Sequence, residues 1–339
     1  MRAFNSMVNS LVGLLSIGML LFATCKHPSE TQVEIFIPDE NFEAPPPPLY
    51  HEVNYDVPIR GYFEFMDSLV AHLDTTLSYC IEEHLIVQAN PWLIDTLAHT
   101  DYYYLMDRGI FSEDPQSLLA LRAGEQLLIP DSLQTDSIRQ RLEATVIDIN
   151  IPEFKLRIIE NDIVRYTYPV RVGRTQEKYL AMAGKKVDLR TRTGVGTVIR
   201  INKSPIFINP SDNRIYHVTR RDDGKVTKLP GVPWIEPELD GQRYGQMIHP
   251  TTNRATLGKA YSNGCIGMTE GDMWRLYYHA PIGAKVVVRY DLEIIEENGD
   301  TTELKHIYPG FKPSKSSKNR QAMIFPSVCN CGIVDTLVQ

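Results

Sequence analysis

The segment VIDINIPEFKLRII, from Val146 to Ile159, alternates apolar and other residues on both sides of a proline. Such alternation places every second side chain on one face of a β-strand. The pattern predicts two strands joined by a turn at Pro152-Glu153, a hairpin that begins a mainly β domain. The residues that would share its buried face are Ile147, Ile149, Ile151, Phe154, Leu156 and Ile158.

Further strand patterns continue over the next 130 or so residues. They are IVRYTYPVRVG at 163–173, TVIRI at 197–201 and KVVVRYDLEII at 285–295. Their branched and aromatic residues suit a pleated, half-buried surface. We therefore expect a β-sandwich or barrel-like domain from about 145 to 295. Within it, Gly194-Val195-Gly196 predicts a turn and not a nucleotide loop, because no helix pattern follows.

Upstream, residues 50–131 have mainly helical patterns. GYFEFMDSLVAHLDTTL at 61–77 has apolar residues at three- and four-residue spacing, which predicts a helix. EHLIVQANPWLIDTLAHT at 83–100 predicts a short strand and a helix beginning at Pro91, and DPQSLLALRAGEQLLIP at 114–130 predicts a helix, a glycine turn and a strand. The region is expected to form a small α/β or helical domain.

The end of this region resembles a LysM module, which implies binding to peptidoglycan. The matching residues are Leu121, Gly124, Leu127, Ile129 and Pro130. The opening differs, because Ala89 to Asp95 stands where that module usually has a Gly-Asp pair. A purely structural helical subdomain is the alternative.

Residues 1–25 are typical of an export signal, with Arg2 before an apolar run from Leu11 to Phe22. The run is short for a comfortable membrane span. The following Ala23-Thr24-Cys25 resembles a bacterial lipobox, which implies lipidation of Cys25 and anchoring to a membrane on the periplasmic side of the cell envelope. An ordinary cleaved signal and a retained anchor are the alternatives, and all three place the remainder outside the cytoplasm.

Two segments flank the predicted domains. Residues 26–49 are acidic and proline-rich, which favours an extended tether, although an arm packed along the domain would have the same composition. Residues 296–339 form a C-terminal extension in which EENGD predicts a turn and a basic run predicts a solvated tail.

Charge and cysteine usage narrow the functional classes. A formal net charge of −7 does not suit a nucleic-acid partner, since a phosphate-binding surface normally shows a basic excess. In an oxidising compartment Cys329 or Cys331 is a candidate for a disulfide with Cys80. A metal site is not expected, because no histidine or further cysteine lies near the Cys-x-Cys pair to complete four ligands.

The candidate catalytic residues lie in one stretch, residues 244–268, with the sequence YGQMIHPTTNRATLGKAYSNGCIGM. We expect a strand end at 244–249, a loop at 250–259, a turn at 260–268 and a helix at 269–279, with Thr269 and Asp272 forming a capping box. Cys265 would then lie just before a helix N-terminus, which lowers the pKa of a thiol. Gly264 permits a sharp backbone approach, so the amides of Gly264 and Cys265 are candidate oxyanion donors.

A cysteine nucleophile needs a base, and the base needs a group that fixes its tautomer. His249 is the histidine of this segment. Pro250 follows it and has a carbonyl but no N–H, so a backbone carbonyl is the predicted orienting group.

This stretch resembles the signature of the YkuD-type L,D-transpeptidases, in which HGT is followed by [ST]-x-G-C-[IV]-[RN]. Ile248-His249 matches the first part, and the direct matches to the second are Ser262, Gly264, Cys265 and Ile266. The likeness extends over about 145–292, through IDINIPEFKL, Thr191 to Gly194, and Pro281 to Val286.

The resemblance implies the activity and the site. Cys265 would attack a peptidoglycan tetrapeptide stem at the bond between its diamino acid and the terminal D-alanine, and an amine would accept the acyl group. His249 would be the base and the carbonyl of Pro250 its orienting partner. The residues that would line the substrate or donate to the oxyanion are Ser262, Asn263, Gly264 and Gly267. No cofactor is implied. Water as the acceptor would make the protein an L,D-carboxypeptidase, and loss of turnover would leave a wall-binding scaffold.

Three positions depart from the family pattern. Pro250 replaces a glycine, Asn263 replaces the more frequent histidine, and Gly267 replaces an arginine or asparagine. The change at Gly267 affects substrate choice more than catalysis. Arg254 or Arg275 is the expected source of a replacement positive charge.

Overall fold

The computed structural model describes residues 47–296 and 299–317, which fall within one compact unit. Within those ranges no helix is long and apolar enough to cross a bilayer. The predicted export signal with Cys25, residues 26–46 of the predicted tether, and Cys329 and Cys331 lie outside the described residues. Cys80 is exposed, and its pairing stays a prediction.

The first part of the unit contains five helices and four short strands. In chain order they are β1 (Leu49–Glu52), β2 (Val57–Pro58), α1 (Ile59–Thr76), α2 (Glu83–Ala89), α3 (Pro91–Ala98), α4 (Tyr102–Met106), a 3₁₀ helix (Pro115–Ser117), β3 (Leu119–Leu121), β4 (Gln126–Ile129) and α5 (Ser132–Glu143). β1 pairs with β4 and β2 pairs with β3, both antiparallel.

The second part is mainly β. Its elements are β5 (Val146–Asn150), β6 (Lys155–Glu160), β7 (Ile163–Pro169), β8 (Val172–Gly173), β9 (Glu177–Leu180), β10 (Lys185–Asp188), β11 (Gly194–Asn202), β12 (Val218–Arg220), β13 (Val226–Lys228), β14 (Trp234–Leu239), β15 (Ile248–Pro250), a 3₁₀ helix (Arg254–Thr256), β16 (Ala260–Ser262), β17 (Ile266–Met268), α6 (Glu270–His279), β18 (Lys285–Arg289), β19 (Glu293–Ile295), β20 (Thr301–Glu303) and a 3₁₀ helix (Lys315–Ser317).

Eight of these strands form one sheet in the order β17-β15-β14-β11-β18-β5-β6-β7. The opening hairpin is present, with Ile147 opposite Ile158 and Ile149 opposite Leu156, all four fully buried. Two neighbouring pairs in the sheet are parallel: β18 with β5, and β17 with β15. The predicted mainly β class, with a short helix after Cys265 and helices towards the N-terminus, is confirmed.

The two edges of this sheet approach each other. β17 and β7 are the edge strands, and Arg171, two residues beyond β7, forms an antiparallel bridge with Gly267 of β17. The sheet is therefore a nearly closed barrel. Closure protects an edge strand from pairing with other chains.

α6 joins the sheet to the N-terminal helices through one continuous hydrophobic core. Trp274, Tyr277 and Tyr278 of α6 are fully buried, and the hydroxyl of Tyr278 lies 2.6 Å from that of Tyr62 in α1. The carboxylate of Glu83 accepts hydrogen bonds from the hydroxyls of both Tyr277 and Tyr278. The helices at 59–106 therefore pack against the element that follows the predicted nucleophile.

A buried ion pair crosses the centre of the sheet. The guanidinium of Arg289 in β18 donates to both carboxylate oxygens of Asp148 in β5, over 2.7 and 3.0 Å. Both side chains are fully buried. Because β5 and β18 are parallel neighbours, this pair fixes their register as well as their charge balance.

Three local predictions were wrong. Residues 83–89 form helix α2 and not a strand, because a short apolar run has no period that separates the two structures. Residues 119–121 form strand β3 and not a helix, since they pair with β2 some 60 residues earlier. Gly194-Val195-Gly196 begins strand β11 and does not form a turn. The strand-helix-helix-strand order expected for the LysM-like region is therefore absent from residues 83–129.

The C-terminal extension is partly structured. β19 and β20 pair antiparallel on either side of the predicted turn, and the Glu296 N–H donates to the Asp300 carbonyl over 2.8 Å. In the described part of the basic run Lys312 and Lys315 are exposed and Ser317 is buried, while Tyr308, before the run, is fully buried. The Tyr308 hydroxyl donates to the carbonyl of Gly173 over 2.5 Å.

Candidate active site

The parallel pairing of β15 with β17 brings the predicted base and nucleophile together. Ile248 is opposite Ile266, and His249 is opposite Gly267. Paired strands lie about 4.8 Å apart, and side chains two residues apart share a face. Cys265 immediately precedes β17, and its sulfur lies 3.5 Å from the N–H of Met247, two residues before His249. His249 and Cys265 are diagonal neighbours.

His249 is held by the next residue in the chain. Its Nδ1 lies 2.8 Å from the carbonyl oxygen of Pro250, as the sequence predicted. Because a carbonyl only accepts, Nδ1 carries the hydrogen, and in the neutral ring Nε2 has a free lone pair. Burial, followed by the positive charge of Arg171, lowers the pKa of His249 to about 4. The imidazole is therefore neutral at physiological pH.

Aromatic rings form a wall beside this histidine. The ring centroid of Trp234 lies 5.0 Å from that of His249, and Phe207 packs edge-on against Trp234 at 5.1 Å. Tyr216 lies 6.0 Å from Phe207 and is 40% exposed, so the wall reaches solvent. Trp274 is fully buried in the core.

Cys265 is a free, half-buried thiol. Burial raises its pKa, and this effect is opposed by the Met247 N–H, 3.5 Å from the sulfur, and by the charge of Arg171. The expectation that a helix N-terminus lowers its pKa was wrong. β17 separates Cys265 from α6, so the helix begins too far along the chain for its first turn to reach the thiol. Thr269 does cap α6, accepting from the Asp272 N–H over 3.0 Å.

The turn before Cys265 is fixed by two hydroxyls. Ser262 Oγ donates to the carbonyl of Cys265 over 2.5 Å and accepts from the Gly264 N–H over 3.2 Å. Thr191 Oγ1 donates to the carbonyl of Gly264 over 2.9 Å. Gly264 itself has a φ of +115°, which glycine adopts readily.

The two predicted oxyanion donors differ in whether their N–H groups are already hydrogen-bonded. The N–H of Gly264 is engaged by Ser262, whereas the N–H of Cys265 has no acceptor anywhere in 47–296 or 299–317. The Cys265 amide is thus the donor available to a developing oxyanion. The side-chain oxygen of Asn263 is buried and accepts no hydrogen bond from any described group.

Gly267 lies directly beneath an arginine. A Cβ built on Gly267 would lie 2.5 Å from Nε and 2.8 Å from Cγ of Arg171. The two arginines proposed as replacement cations are occupied elsewhere: Arg254 pairs with Asp107 at 2.9 Å, and Arg275 lies 3.4 Å from Asp95. Neither lies at Gly267, so that expectation was wrong.

Sequence reasoning missed several residues that shape the site. Tyr308 and Thr191 support the turn of the nucleophile, because Tyr308 binds the carbonyl of Gly173 and Thr191 accepts from the N–H of Gly173 over 2.8 Å. The hydroxyl of Tyr103 in α4 lies 2.9 Å from the carbonyl oxygen of Thr252, in the loop that follows His249, and 2.5 Å from a carboxylate oxygen of Asp222. These contacts join residues far apart in sequence, so no local pattern could indicate them.

No group of three or more histidine, cysteine, aspartate or glutamate side chains suited to a metal occurs in the part of the chain that the structure covers.

Comparison with known proteins shows what the second part of the chain is similar to. Residues 144–288 match the family model YkuD, described as the L,D-transpeptidase catalytic domain. Residues 144–288 are therefore similar to the catalytic domain of the YkuD L,D-transpeptidases, the family that the cysteine motif resembles.

Two relatives from Bacillus are named as L,D-transpeptidases YkuD. The protein of Bacillus licheniformis is 28% identical over 166 residues, which cover 49% of this chain and 75% of the relative. That of Bacillus subtilis is 27% identical over 179 residues, covering 53% and 84%. A solved L,D-transpeptidase from Mycobacterium smegmatis is 14% identical with a TM-score of 0.29, and the match covers 43% of this chain but only 58% of that one. At this score the likeness to that structure is weak.

Proposed function

We propose that this protein is a peptidoglycan L,D-transpeptidase in which Cys265 is the acyl-accepting nucleophile. The observation that carries the proposal is the β15–β17 register, which sets Cys265 diagonal to a His249 whose Nδ1–H is fixed on the Pro250 carbonyl. The donor is a stem tetrapeptide, attacked at the carbonyl of its diamino acid.

The charge state of the resting pair favours general-base catalysis. Burial raises the pKa of Cys265 and lowers that of His249, so the thiol and the imidazole are both neutral before substrate binds. Nε2 of His249 then removes the thiol proton as sulfur attacks the carbonyl carbon. The new S–C bond forms while the carbonyl oxygen becomes an oxyanion, towards which the Cys265 N–H can donate.

Collapse of this intermediate breaks the C–N bond to the terminal D-alanine. The proton held on His249 Nε2 passes to the departing amine, which leaves a thioester on Cys265 and a neutral imidazole. An acceptor amine next attacks the thioester, His249 takes its proton, and the thiolate leaves and is reprotonated. Atoms and charge balance across both stages without a cofactor.

The acceptor decides the product. An amine of a second stem gives a 3-3 cross-link, whereas water gives a tripeptide and makes the enzyme an L,D-carboxypeptidase. The half-buried setting of Cys265 and the aromatic wall at Trp234 and Phe207 support a site with restricted water access, which favours transfer.

Incubation of the full chain with purified disaccharide-tetrapeptides, followed by mass spectrometry, tests the proposal. We expect dimers joined 3-3 together with released D-alanine. Tripeptides alone would identify the carboxypeptidase, and untouched substrate would leave only a wall-binding scaffold. Cys265→Ala should abolish every product. Cys80→Ala is the matched control, since Cys80 is exposed and lies outside the catalytic domain.

Because the substrate is part of the cell wall, we place this activity in the bacterial envelope. Lipidation of Cys25 stays a prediction, tested by mass spectrometry of the mature N-terminus after expression in a bacterium that processes lipoproteins.

A further inference from the structure

Arg171 is tied to Gly267 by its backbone and crosses it with its side chain. The Arg171 N–H donates to the Gly267 carbonyl over 2.8 Å, and the Gly267 N–H donates to the Arg171 carbonyl over 3.0 Å. The side chain then occupies the volume into which any Cβ at 267 would project, as close as 2.5 Å at Nε. Only glycine leaves that path open.

The guanidinium of Arg171 has no carboxylate partner. Its Nη1 donates to the hydroxyl of Thr256 over 3.2 Å, and its Nε is buried with no acceptor in the described residues. No aspartate or glutamate of the described segments lies within ion-pair distance, 4.0 Å, of it. Arg171 as a whole is half-buried, and a partly buried cation without a counter-ion is less stable than a paired one, so an anion that forms or binds beside it would be stabilised.

The ionisable groups that face Arg171 come from four neighbouring segments. They are Cys265, His249, Tyr216, Tyr261 and Arg174. His249 and Arg174 cannot become anions. A tyrosine ordinarily ionises near pH 10, above the ordinary value for a cysteine, and burial raises the pKa of Tyr216 further. The thiol of Cys265 is therefore the protein group beside Arg171 best suited to become its counter-ion.

We propose that Arg171 is a positioning residue for the nucleophile: it provides the positive charge that stabilises the thiolate of Cys265, and residue 267 is glycine because the side chain of Arg171 crosses it. An effect of Arg171 on turnover rests on the proposed function of Cys265 as the nucleophile, whereas its effect on the ionisation of the thiol does not. The same charge disfavours protonation of His249, so Arg171 keeps the base neutral while it favours the anionic form of the nucleophile.

The pH dependence of Cys265 alkylation tests this charge directly. Iodoacetamide reacts with the thiolate, so its rate at Cys265, read by peptide mass mapping of the full chain across about pH 7 to 11, gives the ionisation midpoint. Arg171→Met keeps the length and apolar stem without the charge. It should move the midpoint up by about one unit or more. Arg171→Lys should keep the midpoint near that of the wild type.

A folded Arg171→Met protein with an unchanged midpoint would overturn the proposal. Circular dichroism melting checks folding, and the backbone hydrogen bonds of residue 171 do not need its side chain. Because alkylation requires no turnover, an inactive wild type would contradict the proposed function without affecting this result. If the enzyme is active but substitution of residue 171 does not change the ionisation midpoint of Cys265, only the inference about Arg171 would be contradicted.

A second experiment tests the claim that residue 267 is glycine because the Arg171 side chain crosses it. Gly267→Arg alone should lower thermal stability and Cys265 reactivity, because two side chains would compete for one volume. Arg171→Ala combined with Gly267→Arg should recover much of both, since a single guanidinium again lies beside the thiol. Equal behaviour of Gly267→Arg and the wild type would show that Arg171 does not require glycine at 267.

Discussion

Arg171 and Gly267 exchange two backbone hydrogen bonds, and this bridge brings the two edges of the eight-stranded sheet together two residues along the chain from Cys265. The strand that presents the nucleophile is thus paired with β15 on one side and bridged by Arg171 on the other. An edge strand held on both sides is positioned more rigidly than a free edge.

Thr191 connects the support of this strand to the turn before Cys265. Its hydroxyl accepts from Gly173 and donates to Gly264. We expect Thr191→Val to lose about 1–3 kcal/mol of unfolding free energy, because two buried partners become unsatisfied, and to slow alkylation of Cys265. Urea unfolding and alkylation rates measure both. Thr193→Val is the control, since Thr193 accepts from the Ser314 N–H, and equal loss of thiol reactivity in both variants would contradict the role of Thr191.

Tyr103, in helix α4 of the N-terminal region, anchors the loop that follows His249. Its hydroxyl shares one proton between two acceptors, an Asp222 carboxylate oxygen at 2.5 Å and the Thr252 carbonyl at 2.9 Å, and accepts from the Arg254 N–H. Tyr103→Phe should lower kcat several-fold, because the 251–256 loop loses its anchor and His249 its fixed orientation. Steady-state turnover of tetrapeptides measures the effect. Tyr104→Phe, in the same helix, should be near wild type, and parallel losses in the two variants would show that the clamp is not specific.

The acid limit of activity should follow His249. Its folded-state pKa is lowered to about 4, so the neutral base persists until the pH falls to that value, well below the ordinary 6.5. We expect the acid limb of kcat/KM near pH 4 where the protein remains folded by circular dichroism, and His249→Gln to lower kcat by about 10²–10⁴-fold. An acid limb near pH 6.5 would contradict the buried, neutral imidazole.

The buried pair Asp148–Arg289 predicts a pure stability effect. Asp148→Asn removes the fully buried one of the two carboxylates that pair with Arg289, so we expect a loss of about 3–5 kcal/mol in urea unfolding. Asp291→Asn is the milder control, because Asp291 contacts the same arginine at its more exposed end. Similar losses in both variants would show that the centre of the sheet tolerates the missing charge.

The opening hairpin and the catalytic motif could be predicted from the sequence, because each depends on residues that are close together in the chain. Ile147, Ile149 and Leu156 alternate within one hairpin, and the chemistry of His249 and Cys265 lies in a single 25-residue stretch, so local period and motif were sufficient. The Pro250 carbonyl was predicted because it is the next residue along the chain.

What could not be predicted depends on pairing between distant segments. Arg171 reaches Gly267, Tyr103 reaches Thr252 and Tyr308 reaches Gly173, each across more than 90 residues. The pKa of Cys265 was assigned the wrong direction because β17 intervenes before α6 and burial then dominates. The sequence of helix α2 cannot be distinguished from a strand, because seven apolar-rich residues fit either period.

Intact-protein mass spectrometry with a donor tetrapeptide and no added acceptor isolates the first acyl transfer, on which the role of Cys265 depends. We expect a covalent adduct equal to the donor minus D-alanine, mapped to Cys265, present in Cys80→Ala and absent in Cys265→Ala. An adduct that persists in Cys265→Ala, or released D-alanine that does not depend on Cys265, would show that this thiol is not the nucleophile.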